Sequence, residues 1–111
     1  MRRILTAALS AAALLAFAAP AHARTLYVTS TAYSWGCGAS GPMANGARPY
    51  IGAVAMNMLP LGRRIRVSRS PTGLRWHTVA DRIGYGTQLD FFVGSCWLAR
   101  AWGRRTVRVT Y

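Results

Sequence analysis

The only two carboxylate side chains in the sequence, Asp81 and Asp90, stand close together in VADRIGYGTQLDFF, Val79–Phe92. Fourteen arginines and a formal charge of +12 surround them, with no lysine and no glutamate. Aspartate at a strand end often serves only as a turn residue. Against an apolar wall, however, a carboxyl holds its proton to higher pH, and such a group can act as a general acid. Asp90 suits that role. Period two puts Leu89 and Phe91 on one side of a strand and Asp90 and Phe92 on the other. If Leu89 and Phe91 fill an interior, Asp90 points outward beside an aromatic ring. A nearby arginine such as Arg82 would act in the opposite sense and favour the ionised form.

His77 is a second titratable candidate. Strict alternation places Arg75, His77, Val79 and Asp81 on one face, where His77 is either a second acid/base group or a half-exposed strand histidine. Cys37 and Cys96 are the only cysteines. In an exported chain an even pair reads as a disulfide. The alternatives are a thiol nucleophile partnered by His77, or metal ligation. Two cysteines and one histidine fall short of the four ligands of a structural zinc site, and no cofactor is called for.

The elements that must position these residues are mostly strands. Thr25–Tyr33 (TLYVTSTAY) is rich in β-branched and aromatic residues. Ser34–Tyr50 reads as a glycine- and proline-rich loop. Ile51–Met56 is a short buried strand, and Leu59–Gly62 a turn. Arg63–Arg69 alternates, with Ile65 and Val67 on one face. Ser70–Gly73 turns the chain into Leu74–Ala80. Gln88–Phe92 follows a break at Gly84–Gly86. Ser95 and Gly103 bracket a short helix, Cys96–Trp102, whose Trp97 and Trp102 are expected to pack on the sheet. Thr106–Tyr111 closes the chain with Val107, Val109 and Tyr111 on one face. Such short strands suit a small closed barrel, which leaves no edge exposed.

Residues 1–23 have the pattern of a secretory signal peptide: Arg2 and Arg3, an apolar run, and a small-x-small end at Ala21–Ala23. Cleavage there leaves Arg24–Tyr111 as a single domain. The apolar run is short for a bilayer span, and no later segment is long and apolar enough to make one.

Thr31-Ala32-Tyr33-Ser34, Leu59-Pro60-Leu61-Gly62, Ala80-Asp81, Leu89-Asp90-Phe91-Phe92 and Ala101–Val107 occur in an order and spacing that resemble the three-aspartate (3D) domain. That family is a double-psi β-barrel found in membrane-bound lytic transglycosylase A and in small secreted wall proteins. Ala44-Asn45-Gly46, the Pro-Leu-Gly turn and Asp81-Arg82 also resemble rare lipoprotein A, a related barrel. The resemblance implies an all-β, six-stranded double-psi barrel with one short helix over residues 24–111. It further implies that Asp90 is the catalytic acid/base and that Asp81 orients it or the sugar. Counting back from Pro60-Leu61-Gly62, the first family aspartate falls on Ala55. Met56 and Ala47 stand where rare lipoprotein A has a histidine and a glutamate.

The activity implied is cleavage of the bond between N-acetylmuramic acid and N-acetylglucosamine in peptidoglycan. The alternative is a barrel that binds glycan without cutting it, as expansin- and barwin-like domains do. Tyr33, Trp35, Tyr85 and His77 are the candidate glycan contacts. For each tyrosine the competing role is strand packing. The expected location is the periplasm or the cell exterior, bound to the wall, as a monomer. The arginines suit anionic envelope polymers, or form a solvated basic face. No nucleic-acid motif accompanies them, and nucleic acid is not expected as a partner.

Overall fold

The computed structural model describes residues 23–111; the signal peptide expected over residues 1–23 lies almost wholly outside them. The strands are β1 (Thr25–Trp35), β2 (Gly38–Ala39), β3 (Ala53–Met56), β4 (Arg64–Val67), β5 (Trp76–Asp81), β6 (Leu89–Phe92) and β7 (Arg105–Thr110). One helix, α1 (Cys96–Trp102), precedes β7. Around the sheet the order is β1-β6-β3-β5-β4-β7, and β7 pairs back onto β1. The result is a closed six-stranded barrel with one short helix, as expected from the sequence. Two pairs, β1 with β6 and β3 with β5, are parallel. The other four contacts are antiparallel. None of the described helices is long and apolar enough to cross a membrane.

β1 is long because it serves two barrel partners, and its end pairs with β2 as well. Thr25–Ser30 pair with β7, and Ser30–Tyr33 pair with β6. The interior is built from alternating residues. Ile65 and Val67 of β4, Leu89 and Phe91 of β6, and Val107 and Val109 of β7 all meet there, buried. Each such side chain contributes about 1.5–3 kcal/mol by leaving water. Arg64 and Arg66 fall on the outside of β4, as the alternation predicts. Met56 also fills the interior.

α1 is capped as its sequence predicts. The Ser95 hydroxyl accepts from the Leu98 amide at 3.2 Å, and Gly103 ends the helix with a φ of 64°. Trp102 covers the barrel interior, edge-on to Phe91 at 5.8 Å. Its indole N–H donates to the Ser30 hydroxyl at 3.0 Å, and Ser30 donates to the Arg105 carbonyl at 2.7 Å. Both polar groups are therefore satisfied without water. Trp97 corrects the expectation that both helix tryptophans pack inward: it is 72% exposed. A seven-residue helix makes barely two turns, and its buried face holds only Ala99 and Trp102.

Cys37 and Cys96 form a disulfide, with Cα atoms 5.9 Å apart across 59 residues of sequence. It ties α1 to the segment after β1. That segment is not all loop, because β2 pairs in parallel with the end of β1. Gly38 makes this close approach possible. Its φ is 107°, and a Cβ there would lie 2.9 Å from the Tyr33 Cβ.

Candidate active site

Three neighbouring strands bring the two carboxylates together. In β3, Ala55 is the register partner of Asp81 on β5 and of Asp90 on β6. Residues opposite one another in a ladder share a face, so Asp81, Ala55 and Asp90 form a row across the outside of the barrel. At about 4.8 Å per strand, the two aspartate Cα atoms are roughly 10 Å apart. Thr31 and Tyr33 of β1 extend the row, opposite Asp90 and Phe92.

Asp81 reaches this face through a β-bulge. The β3–β5 register shifts between Val54 and Ala55, so that Val54 pairs with Val79 but Ala55 pairs with Asp81. The extra residue re-aims the end of β5. Simple alternation, which placed His77 and Asp81 on one face, therefore fails here. Val79 and His77 point inward, and Asp81 points out.

Asp90 is half-buried beside Phe92 and the small side chain of Ala55. Burial raises its pKa above the ordinary 3.8; a hydrogen bond from the Thr31 hydroxyl lowers it, and the charge of Asp81 raises it. The Thr31 bond is 2.9 Å, to Oδ1. Arg82 does not oppose this rise. Its guanidinium turns to the backbone and donates to the carbonyls of Met56 and Leu59, at 2.6 Å each.

Asp81 has a different environment. Its Oδ1 accepts from the backbone amides of Ala44 at 2.9 Å and Arg82 at 2.8 Å. Its Oδ2 accepts from the Tyr33 hydroxyl at 3.4 Å. Asp81 thus fixes the loop containing Ala44-Asn45-Gly46 against the barrel. That loop is a tight turn, with the Asn45 side chain accepting from the Ala47 amide at 2.9 Å and Gly46 at a φ of 87°. Met43 anchors it from below, buried against Ala53 and Ala80.

The remaining sequence candidates fall in three places. Tyr33 lines the row, buried, with its ring edge-on to Phe92 at 5.5 Å. Burial, then the charges of Asp81 and Asp90, hold its hydroxyl protonated well above the ordinary 10. Trp35, at the end of β1, and Tyr85, in the loop between β5 and β6, are exposed; Arg48 lies over the Trp35 ring at 5.2 Å, and Tyr85 is 86% exposed. His77 stands apart, in the interior and 1% exposed. Its Nε2 bonds the Thr72 hydroxyl at 2.8 Å, its ring packs on Phe91 at 5.0 Å, and its Nδ1 has no partner. Burial lowers its pKa to about 4, so it stays neutral inside. It is neither half-exposed nor on the carboxylate face.

Two residues matter that the sequence did not single out for this role. Thr31 supplies the hydroxyl to Asp90, and register with a strand far away in sequence is what places it there. Asn57 holds the β5–β6 loop: its Oδ1 accepts from the Ile83 amide at 3.1 Å, and its Nδ2 donates to the Gly86 carbonyl at 3.2 Å. Among the described residues no three of His, Cys, Asp and Glu come together to hold a metal ion. The site is a row of two carboxylates and a tyrosine on a small closed barrel. No protein-family model matches the chain, and no curated protein matches it.

Proposed function

We propose that this chain is an exported cell-wall protein that cleaves peptidoglycan glycan in the manner of a lytic transglycosylase, with Asp90 as acid and then base. The observation that carries the reading is Asp90 itself: a half-buried carboxyl whose pKa burial raises, while the Arg82 guanidinium donates to the backbone carbonyls of Met56 and Leu59. Protonated Asp90 gives its proton to the glycosidic oxygen as the bond to C1 breaks. The C6 hydroxyl of the same sugar attacks C1, and the carboxylate of Asp90 accepts the hydroxyl proton. The product is a 1,6-anhydro ring, and no water is consumed. One well-placed acid suffices, unlike ordinary glycosidases, which use two.

Asp81 serves as a positioning residue, holding the Tyr33 hydroxyl and the Ala44 loop beside the acid. Exposed Trp35 and Tyr85 offer ring faces to sugars. The disulfide fits the oxidising compartment that an exported protein reaches.

One observation favours a second reading, a barrel that grips glycan without cutting it. Ala55 stands between the two aspartates, where the 3D-like pattern has its first aspartate, and Met56 is committed to the core. Digesting peptidoglycan with the exported, purified protein separates the two, with soluble products read by mass spectrometry. Anhydro-muropeptides from the wild type and none from Asp90→Asn support the enzyme. Retention on insoluble glycan with no products from either protein supports the binding barrel and removes the enzyme reading.

A further inference from the structure

The arginines divide by what their guanidiniums touch. Arg69, Arg82 and Arg105 donate to backbone carbonyls. Arg48, Arg63 and Arg64 lie over the rings of Trp35, Tyr111 and Trp76. Arg24, Arg66, Arg75, Arg100, Arg104 and Arg108 have neither kind of partner among the described residues, and of these Arg66, Arg75 and Arg108 line one cleft of about 260 Å³ with Val67, Ser68 and Thr110.

The backbone roots all three in place. Arg66 sits opposite Thr110 in the β4–β7 ladder. The Ser68 amide donates to the Arg108 carbonyl, and the Arg108 amide to the Ser68 hydroxyl, each at 2.9 Å. The Val67 amide donates to the Arg75 carbonyl at 2.9 Å. Three arginines with fixed backbones thus line one hollow. Neither aspartate lines it, because both are on the β5–β3–β6 wall. Like charges held together repel, and a bound anion relieves them.

We propose that the Arg66–Arg75–Arg108 cleft is a phosphate-binding site. A carboxylate presents two oxygens in one plane, which a single guanidinium fork satisfies. A phosphate monoester presents three oxygens and up to two negative charges, which suits several forks converging from different strands. The cleft shares no residue with the carboxylate row, so this inference is independent of the proposed cleavage.

The test titrates inorganic phosphate into the isotope-labelled exported protein and follows its amide resonances. Saturable shifts centred on Ser68, Arg75, Arg108 and Thr110 are expected. Arg66→Gln/Arg75→Gln/Arg108→Gln should weaken binding by about tenfold or more, the loss of at least one charged hydrogen bond. Arg24→Gln/Arg100→Gln/Arg104→Gln removes the same charge elsewhere and should weaken it by less than about threefold, through screened long-range attraction alone. Vesicles of phosphatidylcholine with and without phosphatidic acid identify the source. Retention on phosphatidic acid that the cleft variant loses assigns a lipid headgroup. Phosphate saturation without vesicle retention assigns a soluble or polymer-borne phosphate. Shifts scattered over all the arginines, or equal weakening by both variants towards phosphate or duplex DNA, would mark diffuse charge and overturn the site. The wild-type shift map decides the matter even if the cleft variant does not fold.

Discussion

The wall of β5, β3 and β6 and the wall of β4 and β7 treat charge in opposite ways. The first carries both carboxylates, places an alanine between them, and sends its one adjacent arginine into backbone carbonyls. The second gathers Arg66, Arg75 and Arg108 around a hollow, with no side-chain partner for them among the described residues. A sequence of +12 could have saturated its two acids with salt bridges. Instead the acids are kept apart from the cations, and burial governs the proton on Asp90. The lesson is that an excess of one charge does not set the chemistry of the few opposite charges; strand register decides which neighbours they meet.

Asp90→Asn breaks the comparison most strongly. On the proposed function, glycan cleavage should fall by about 10²–10⁴-fold, the usual contribution of a general acid, while the proposed phosphate binding at the arginine wall is unchanged. Stability should move the other way. The folded pKa of Asp90 is raised, so the stability it contributes is full below 3.8 and is lost as pH rises through the folded value. Asp90→Asn should therefore melt at higher temperature than wild type at pH 7, with the gap closing below pH 3.8. Equal melting curves at both pH values would remove burial as the cause.

Cys37→Ser with Cys96→Ser should cost about 4 kcal/mol in denaturant unfolding, from the loop that the bond closes in the unfolded chain. The loss should fall on β2, whose Ala39 packs with Tyr33, Ala55 and Phe92, seen as faster amide exchange at Gly38 and Ala39, and spare the β4–β7 ladder.

His77 lies at the seam between the walls, paired with Ile65 of β4. Its folded pKa is lowered from 6.5 to about 4, so its stabilising effect is present above pH 6.5 and lost as pH falls toward 4. The loss should be on the order of 3 kcal/mol. His77→Gln should flatten that part of the stability–pH curve; a slope that survives the substitution must originate elsewhere.

Thr31→Val gives the smallest effect. It removes the one hydrogen bond that favours ionised Asp90. On the proposed function, the alkaline limb of the cleavage rate should move to higher pH, with turnover at the optimum reduced less than about tenfold.

Much of the barrel was legible because its strands alternate cleanly. Ile65 with Val67, and Leu89 with Phe91, announce an inner face by period two alone. Ser95 and Gly103 likewise mark the helix ends. Asp81 and Asp90 were visible as the only acids, and Phe92 hinted at the apolar wall beside Asp90. Three things were not legible. The bulge at Val54/Ala55 breaks alternation without any glycine or proline to mark it. The Thr31–Asp90 pairing depends on a parallel contact between strands 59 positions apart in the chain, which no local pattern encodes. The burial of His77 depends on β4 and β6 both closing over it, whereas its own strand reads as half-exposed.

The double duty of β1 also has a consequence for timing. Residues 25–29 find ladder partners only on β7, in a segment near residue 110. Until that last strand arrives, the leading half of β1 is an unzipped edge and the cylinder stays open. Contacts so distant in sequence make folding slow. On the proposed reading as an exported protein, this delay keeps the cylinder open during passage through a translocation pore, because the closed shape cannot form until the final strand is through.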